Sequence, residues 1–260
     1  MRLHGSFALV TGSSGGLGAA VARELIRHGV RVVVHGRDAT RTAAVAAELG
    51  TAHVLGDLAD PAQVQRVADE ATTAHGRLDL VVHNAGIGWQ GGFDTMPPER
   101  IPEIVATDLT APVLLSRAVL PRLLERGRGH LCFVTSIAGR TGVAGEAVYA
   151  ATKAGLDAFA DSLRLEATGS GVEISTFVPA VVDTDFFTHR GTPYERRSPK
   201  PRDPERVARQ LVSLIASGGS ERWSDPALRV APVVRAAWPA AYNRLARRWG
   251  EETRLSGGDD

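Results

Sequence analysis

The chain has 260 residues, a formal net charge of +1, a single cysteine and 43% hydrophobic residues. That length suits one large core, the balanced charge gives no electrostatic reason to bind nucleic acid, and Cys132 cannot form an internal disulfide. No run of about 18 apolar residues offers a membrane span, and the glycines from Gly12 to Gly18 interrupt any apolar leader. The expectation is one domain over residues 1–260, cytoplasmic and without integral membrane contact.

Short apolar runs alternate with longer segments of helical period. This pattern predicts an α/β fold, a doubly wound, Rossmann-like parallel sheet in three layers with helices on both faces. The first strand, Phe7–Val10, runs into Thr11-Gly12-Ser13-Ser14-Gly15-Gly16-Leu17-Gly18, which opens a helix at Leu17–His28. Leu17, Val21 and Leu25 share one face of that helix, and Gly29 stops it. Glycines in such a turn let the backbone approach a pyrophosphate, and the unpaired N–H groups of the helix face the anion. Gly12, Ser14, Gly16, Leu17 and Gly18 are therefore candidate cofactor contacts.

The second strand, Arg31–Val34, leads to Gly36-Arg37. A carboxylate there would accept from the ribose of NAD, whereas Arg37 can pair with a 2′-phosphate, which favours NADP(H). A helix at Ala39–Leu49 and a strand at His53–Leu55 follow, then Asp57-Leu58, placed to cap an adenine. After a helix at Pro61–His75, the strand Leu80–His83 ends in Asn84-Ala85-Gly86, small residues that leave room for the adenosine ribose.

A helix is expected at Thr110–Arg126, then the strand His130–Val134, with Ser136 just beyond its end. Ligands of open parallel sheets bind beyond strand ends, so Ser136 faces the same crevice as the Gly-rich turn. The next helix, Ala147–Thr168, carries Tyr149 and Lys153 four residues apart and so on one face. An ammonium near a phenol lowers the phenol's pKa and prepares it to exchange a proton. Lys153 is one of two lysines in a chain otherwise built with arginine. A compact ammonium fits close to ribose hydroxyls and a phenolate where a guanidinium fits less well.

A strand at Glu173–Val178, a helix at Glu205–Ala216 and a weakly signalled strand near Glu221–Ser224 complete the pattern. From Arg190 onward basic residues outnumber acidic ones. Residues 186–204 read as a substrate-side loop and 221–260 as a C-terminal extension of the same domain.

As an ordered set, Thr11-Gly12-x-x-x-Gly16-x-Gly18, Asp57, Asn84-Ala85-Gly86, Ser136, Tyr149-x-x-x-Lys153 and Pro179 through Thr184 resemble the short-chain dehydrogenases/reductases, in their compact single-domain branch. The resemblance spans roughly residues 5–220. It implies that Tyr149 is the general acid/base and that Lys153 lowers its pKa and holds the nicotinamide ribose. Ser136 would orient the reacting oxygen, and Pro179, Val182 and Thr184 would border the cofactor, Thr184 at the carboxamide. Hydride would pass between C4 of the nicotinamide and a carbonyl or alcohol carbon. A homodimer or homotetramer built on the helices Thr110–Arg126 and Ala147–Thr168 is implied as well.

Two positions depart from the family pattern. Asp108, in Thr107-Asp108-Leu109-Thr110-Ala111, replaces an Asn that helps hold a proton-relay water. An ionised Asp108 accepts but cannot donate, and its charge opposes lowering of the Tyr149 pKa, so an altered pH dependence is expected. Ala180 replaces the Gly after Pro179. The turn also lacks the basic residue that many NADP-preferring members carry, which leaves the cofactor preference resting on Arg37.

A cofactor-binding sensor or scaffold without turnover is the alternative reading. It draws on Asp108, but has no need of Ser136, Tyr149 and Lys153 together. His35 and His83 read as packing or pocket lining rather than metal ligands, and Cys132 as a small buried hydrophobe. In the tail, apolar residues from Leu228 to Trp249 interleave with Arg229, Arg235, Arg244, Arg247 and Arg248. They suit packing over the pocket or on a partner subunit, with peripheral contact to an anionic membrane as the alternative. Trp89, Phe93, Met96, Phe186, Phe187 and Tyr194, with the stretch Arg140–Glu146, point to a mainly apolar carbonyl or secondary-alcohol substrate.

Overall fold

Strands buried on both faces need nearly continuous apolar runs, and the chain supplies them in succession. A computed structural model describes residues 1–191 and 200–247. Tyr194, Arg248 and Trp249 lie outside the described residues.

The first half runs β1 (Phe7–Val10), α1 (Gly16–Arg27), β2 (Arg31–Gly36), α2 (Ala39–Leu49), β3 (Ala52–Leu55), α3 (Pro61–His75) and β4 (Leu80–His83). Then come α4 (Arg100–Val105), a π-turn (Ala106–Thr110), α5 (Ala111–Glu125), β5 (Gly129–Val134), α6 (Ile137–Thr141), α7 (Ala147–Glu166) and β6 (Val172–Val178). The last elements are α8 (Phe186–His189), α9 (Pro204–Ser217), β7 (Glu221–Trp223), α10 (Val230–Ala237) and α11 (Pro239–Arg247).

The strands form one seven-stranded sheet in the order β3-β2-β1-β4-β5-β6-β7, and every pairing is parallel. The order reverses between β1 and β4, which opens a crevice beyond their carboxyl ends. On one face α1 and α9 bury Val21, Leu25, Leu211 and Ile215; on the other, α3, α5 and α7 bury Val67, Leu115 and Leu156. Asp38, Asp60 and Asp203 cap α2, α3 and α9 through backbone N–H groups, and Gly50, Gly76 and Gly218 end the same helices in the left-handed conformation.

The helix expected from Thr110 in fact begins at Arg100, because α4, the π-turn and α5 are continuous. Pro102 sits in the first helical turn, where its missing N–H costs nothing. By length and composition alone, Arg100–Glu125 could cross a membrane, which corrects the expectation that no segment qualifies. Here Ile104, Ala111, Leu115, Val119 and Leu123 are buried in the fold.

The tail helices pack on each other, and α10 also touches α6. Arg235 donates to the carbonyl of Arg140 at 2.9 Å, and Arg229 pairs with Glu221 at 3.0 Å. Val230, Val233 and Trp238 remain exposed.

Leu115, 1% exposed, tests the packing of the long helix. Leu115→Ala is expected to cost about 2–5 kcal/mol of unfolding free energy in aqueous buffer, read by denaturant titration; an unchanged midpoint would place that face outside the core.

Candidate active site

The Gly-rich turn is bound on three sides. Ser13 Oγ donates to the Val10 carbonyl at 2.7 Å and accepts from the His35 N–H at 2.9 Å. His35 Nδ1 accepts from the Gly12 N–H at 3.2 Å. Burial lowers the His35 pKa to about 4, so the ring is neutral and able to accept. Gly12 and Gly16 have φ of 64° and 55°. A Cβ on Gly12 would stand 2.7 Å from Ala85 Cα, and one on Gly18 2.3 Å from the Gly12 carbonyl oxygen.

These glycines therefore hold β4, the turn and α1 at distances no side chain permits. Helix α1 opens with no side-chain cap and no acid in its first turn, so its N–H groups face the crevice without an acceptor from a side chain. That donor set fits the pyrophosphate of a dinucleotide. Gly16 also meets Thr184, whose Cγ2 would lie 3.3 Å from an added Cβ, bringing the segment after β6 over the turn. In that segment Val182 is buried and bridges to Arg202, while Pro179 is half-buried.

At the end of β2, Arg37 is largely exposed and lies 3.4 Å from Glu103. Arg41 was not singled out from the sequence, yet its Nη2 comes within 3.0 Å of the position of a Cβ on Gly15. Its place in the first turn of α2, four residues after Arg37, was the available signal. Ser14 Oγ lies 2.8 Å from the position of a Cβ on Gly36. Asp38, the acid nearest in sequence, spends its carboxylate on the Arg41 N–H at 2.9 Å. Ser14 and Arg41 thus stand beside the turn, while the Arg37 guanidinium points to Glu103.

Asn84 adds a structural contact at this exit. Its Nδ2 donates to the carbonyls of Thr11 and Gly12 at 3.0 and 3.2 Å, so the side chain braces the turn. Asp57 shapes its own turn by accepting from the Ala59 N–H at 2.9 Å, and Leu58 is buried in the second core.

Ser136, Tyr149, Lys153 and Asp108 come together where β4 and β5 end. Ser136 caps α6 by accepting from the Ala138 N–H at 3.2 Å, and its hydroxyl faces the Tyr149 phenol. Lys153 is buried and donates to the Val134 carbonyl at 3.4 Å. Asp108 is fully buried in the π-turn; Oδ1 accepts from the Ile87 N–H at 2.8 Å and Oδ2 lies 3.3 Å from Lys153 Nζ. Burial raises the Asp108 pKa, while Lys153 and the Ile87 N–H oppose that rise.

The expected lowering of the Tyr149 pKa does not occur in the chain alone. Enclosure of the phenol, then the carboxylates of Asp108 and Glu146, push it above its ordinary value, against Ser136 and Arg190.

Beside Tyr149 lies a cavity of about 200 Å³ walled by Trp89, Met96, Ile104, Val143, Val148 and Tyr149 itself, with Phe93 at its edge. Phe186 tilts over the Tyr149 ring at 5.7 Å and meets Phe187 edge-on at 5.6 Å. Arg140 turns away from the cavity to pair with Asp157 at 2.6 Å and Glu221 at 2.8 Å.

Glu146 at the head of α7 forms a buried ion pair with Arg190. The Arg190 guanidinium lies 4.5 Å from the Phe187 ring centre, and its carbonyl accepts from the Gln90 N–H at 3.3 Å. This pair ties the loops after β4 and β6 to the helix that carries Tyr149. Sequence reasoning missed it because its members lie far apart in the chain. His83 stacks on Phe133 at 4.5 Å, and burial lowers its pKa to about 3, as suits a packed, neutral ring. Burial likewise pushes the Cys132 thiol up to about 12.

The chain matches the family model described as short chain dehydrogenase over residues 6–195. It is 38% identical over 194 residues to an uncharacterized oxidoreductase of Myxococcus xanthus, covering 72% of this chain and 76% of that protein. Identity to the 3-oxoacyl-acyl-carrier-protein reductase of Escherichia coli is 32% over 188 residues, or 72% of this chain and 77% of that protein. A metagenomic short-chain oxidoreductase solved in complex with NADP is similar at a TM-score of 0.73 and 33% identity, covering 86% of this chain and 98% of that one.

Gly18→Ala is expected to displace the Gly12 carbonyl and Asn84, and so to weaken dinucleotide binding about tenfold or more in a fluorescence titration. Unchanged affinity would show that the turn is not the docking point.

Proposed function

Because the chain belongs to the short-chain dehydrogenase/reductase family and is an oxidoreductase of that family, we propose that it is a cytoplasmic reductase of a small, mainly apolar ketone, working with NADPH as one catalytic domain over residues 1–260. Reduced nicotinamide supplies the hydride. Gly12, Ser14, Gly16, Leu17 and Gly18 hold the pyrophosphate. Asp57, Leu58, Ala85 and Gly86 border the adenosine, and Pro179, Val182 and Thr184 border the nicotinamide. Ser136 holds the carbonyl oxygen, Tyr149 gives it a proton, and Lys153 engages the ribose hydroxyls.

One observation carries this reading. The Tyr149 phenol faces the Ser136 hydroxyl, and Tyr149 is also a wall of the apolar cavity, so a ketone seated there meets its proton donor directly. The lining favours alkyl or aryl substituents over charged ones. Preference for the 2′-phosphate rests on Arg37 and Arg41, and the NADP in the related metagenomic structure supports it. Exposed Leu114 and Leu124 on α5, and Leu165 on α7, supply apolar surface for a homodimer built on those helices. The scaffold reading draws on the Asp108–Lys153 pair, and turnover decides between the two.

With NADPH and a panel of cyclic, aryl-alkyl and β-keto-ester ketones, coenzyme absorbance should fall, and Tyr149→Phe should slow that loss by at least about 100-fold. Cofactor binding without consumption across the panel would favour the scaffold. Arg37→Ala combined with Arg41→Ala should raise KM for NADPH about tenfold or more, through loss of charge-assisted hydrogen bonds, while KM for NADH stays in place. Equal effects on both coenzymes would remove the basis for the preference.

A further inference from the structure

Among the described residues, the charged groups that face Tyr149 fall into two pairs. Glu146 from the head of α7 is joined to Arg190 from the segment after α8. Asp108 from the π-turn lies 3.3 Å from Lys153 on α7. Ser136 adds a neutral hydroxyl.

The second pair is closed in by the backbone. A Cβ on Gly86 would stand 3.0 Å from Asp108 Oδ2 and 3.3 Å from Lys153 Nζ, so the missing side chain lets carboxylate and amine approach across the strand exit. The Ile87 N–H holds the other carboxylate oxygen in place. Both side chains are buried, where charges act strongly and an unpaired charge is costly. A buried amine matched by a buried carboxylate presents no net charge to a third group, and a phenolate at Tyr149 gains little from it.

We propose that Asp108 is a positioning residue that neutralises Lys153 and thereby commits the site to carbonyl reduction at neutral pH, leaving alcohol oxidation to alkaline pH. This rests on the reading of Tyr149 as proton donor given above. In reduction the carbonyl carbon takes the hydride and its oxygen takes the phenol's proton, and the phenolate left behind recovers a proton from solvent. Oxidation is the reverse: the phenolate takes the alcohol's proton as the carbinol hydride leaves for the oxidised nicotinamide.

Reduction therefore needs the protonated phenol. It is at full rate below the Tyr149 pKa and declines as pH rises through it; oxidation does the opposite. The raised Tyr149 pKa widens the first window and moves the second upward.

Asp108→Asn keeps the size of the side chain and an acceptor for the Ile87 N–H while removing the charge. Using the ketone of the panel turned over fastest and its alcohol, kcat is measured in both directions from neutral to strongly alkaline pH. The oxidative limb of the variant is expected about one pH unit lower, giving about a tenfold gain in oxidation at neutral pH. Superimposable profiles overturn the proposal.

A second measurement needs no change at position 108. The ultraviolet titration of the protein, minus that of Tyr149→Phe, should show Tyr149 ionising above free tyrosine; ionisation at or below the free value overturns the proposal as well. If Tyr149→Phe retains turnover, the proton-donor reading itself fails. If that variant is inactive while the Asp108→Asn profile does not move, only the present inference fails.

Discussion

The hydroxyl of Thr11 sets the spacing of the first and fourth strands at their carboxyl ends. It donates to the Val82 carbonyl at 3.3 Å and accepts from the N–H groups of Asn84 and Ala85 at 3.0 and 3.1 Å. The Val82 carbonyl also accepts from the Thr11 and Asn84 N–H groups, each at 3.0 Å, so one buried hydroxyl completes a compact network at a sheet's topological switch point. The Gly-rich turn departs from one side of this joint and the Asn84-Ala85-Gly86 exit from the other. Cofactor cradle and acid-base cluster are thus referenced to the same point, one strand apart.

Around that joint the protein places charge sparingly and in matched sets. Two buried pairs, Asp108 with Lys153 and Glu146 with Arg190, stand on either side of one phenol. Neither is a source of stability to be counted at face value, since desolvation offsets much of the Coulomb gain in such pairs. Their value is positional. The first fixes the amine beside Gly86, and the second ties two loops to the head of α7. The electrostatic character of the phenol is a property of this whole set.

Much of this was legible in the sequence because the relevant physics is local. Val32–Val34 and Leu80–His83 are buried throughout, so their strands read as continuous apolar runs. The four-residue step from Tyr149 to Lys153 reports a shared helix face, and glycines with positive φ mark the turn. What escaped depends on tertiary placement. The π-turn at Ala106–Thr110 disrupts the helical period, so the stretch from Arg100 does not read as one helix with the part expected from Thr110. Asn84 is a brace only because β1 ends beside it. The pairing of Glu146 with Arg190 needs two loops to meet, and the rise in the Tyr149 pKa follows from a sum over groups on several elements. Asp108 could be recognised as unusual from the sequence, while its contact with Lys153 across Gly86 required the fold.

The π-turn at Ala106–Thr110 has a consequence for how such a helix can change. A π-turn holds one residue more than an α-turn, and each helical residue advances the direction of its side chain by about 100°. The turn takes up that extra residue locally, so the α-helical stretches on either side keep the faces that set Ile104 in the cavity wall and Leu115 against the sheet. Loss of one residue within it would restore regular winding, whereas loss of one from the α-helical stretch between the turn and Leu115 would rotate the cavity wall by about 100° relative to the core.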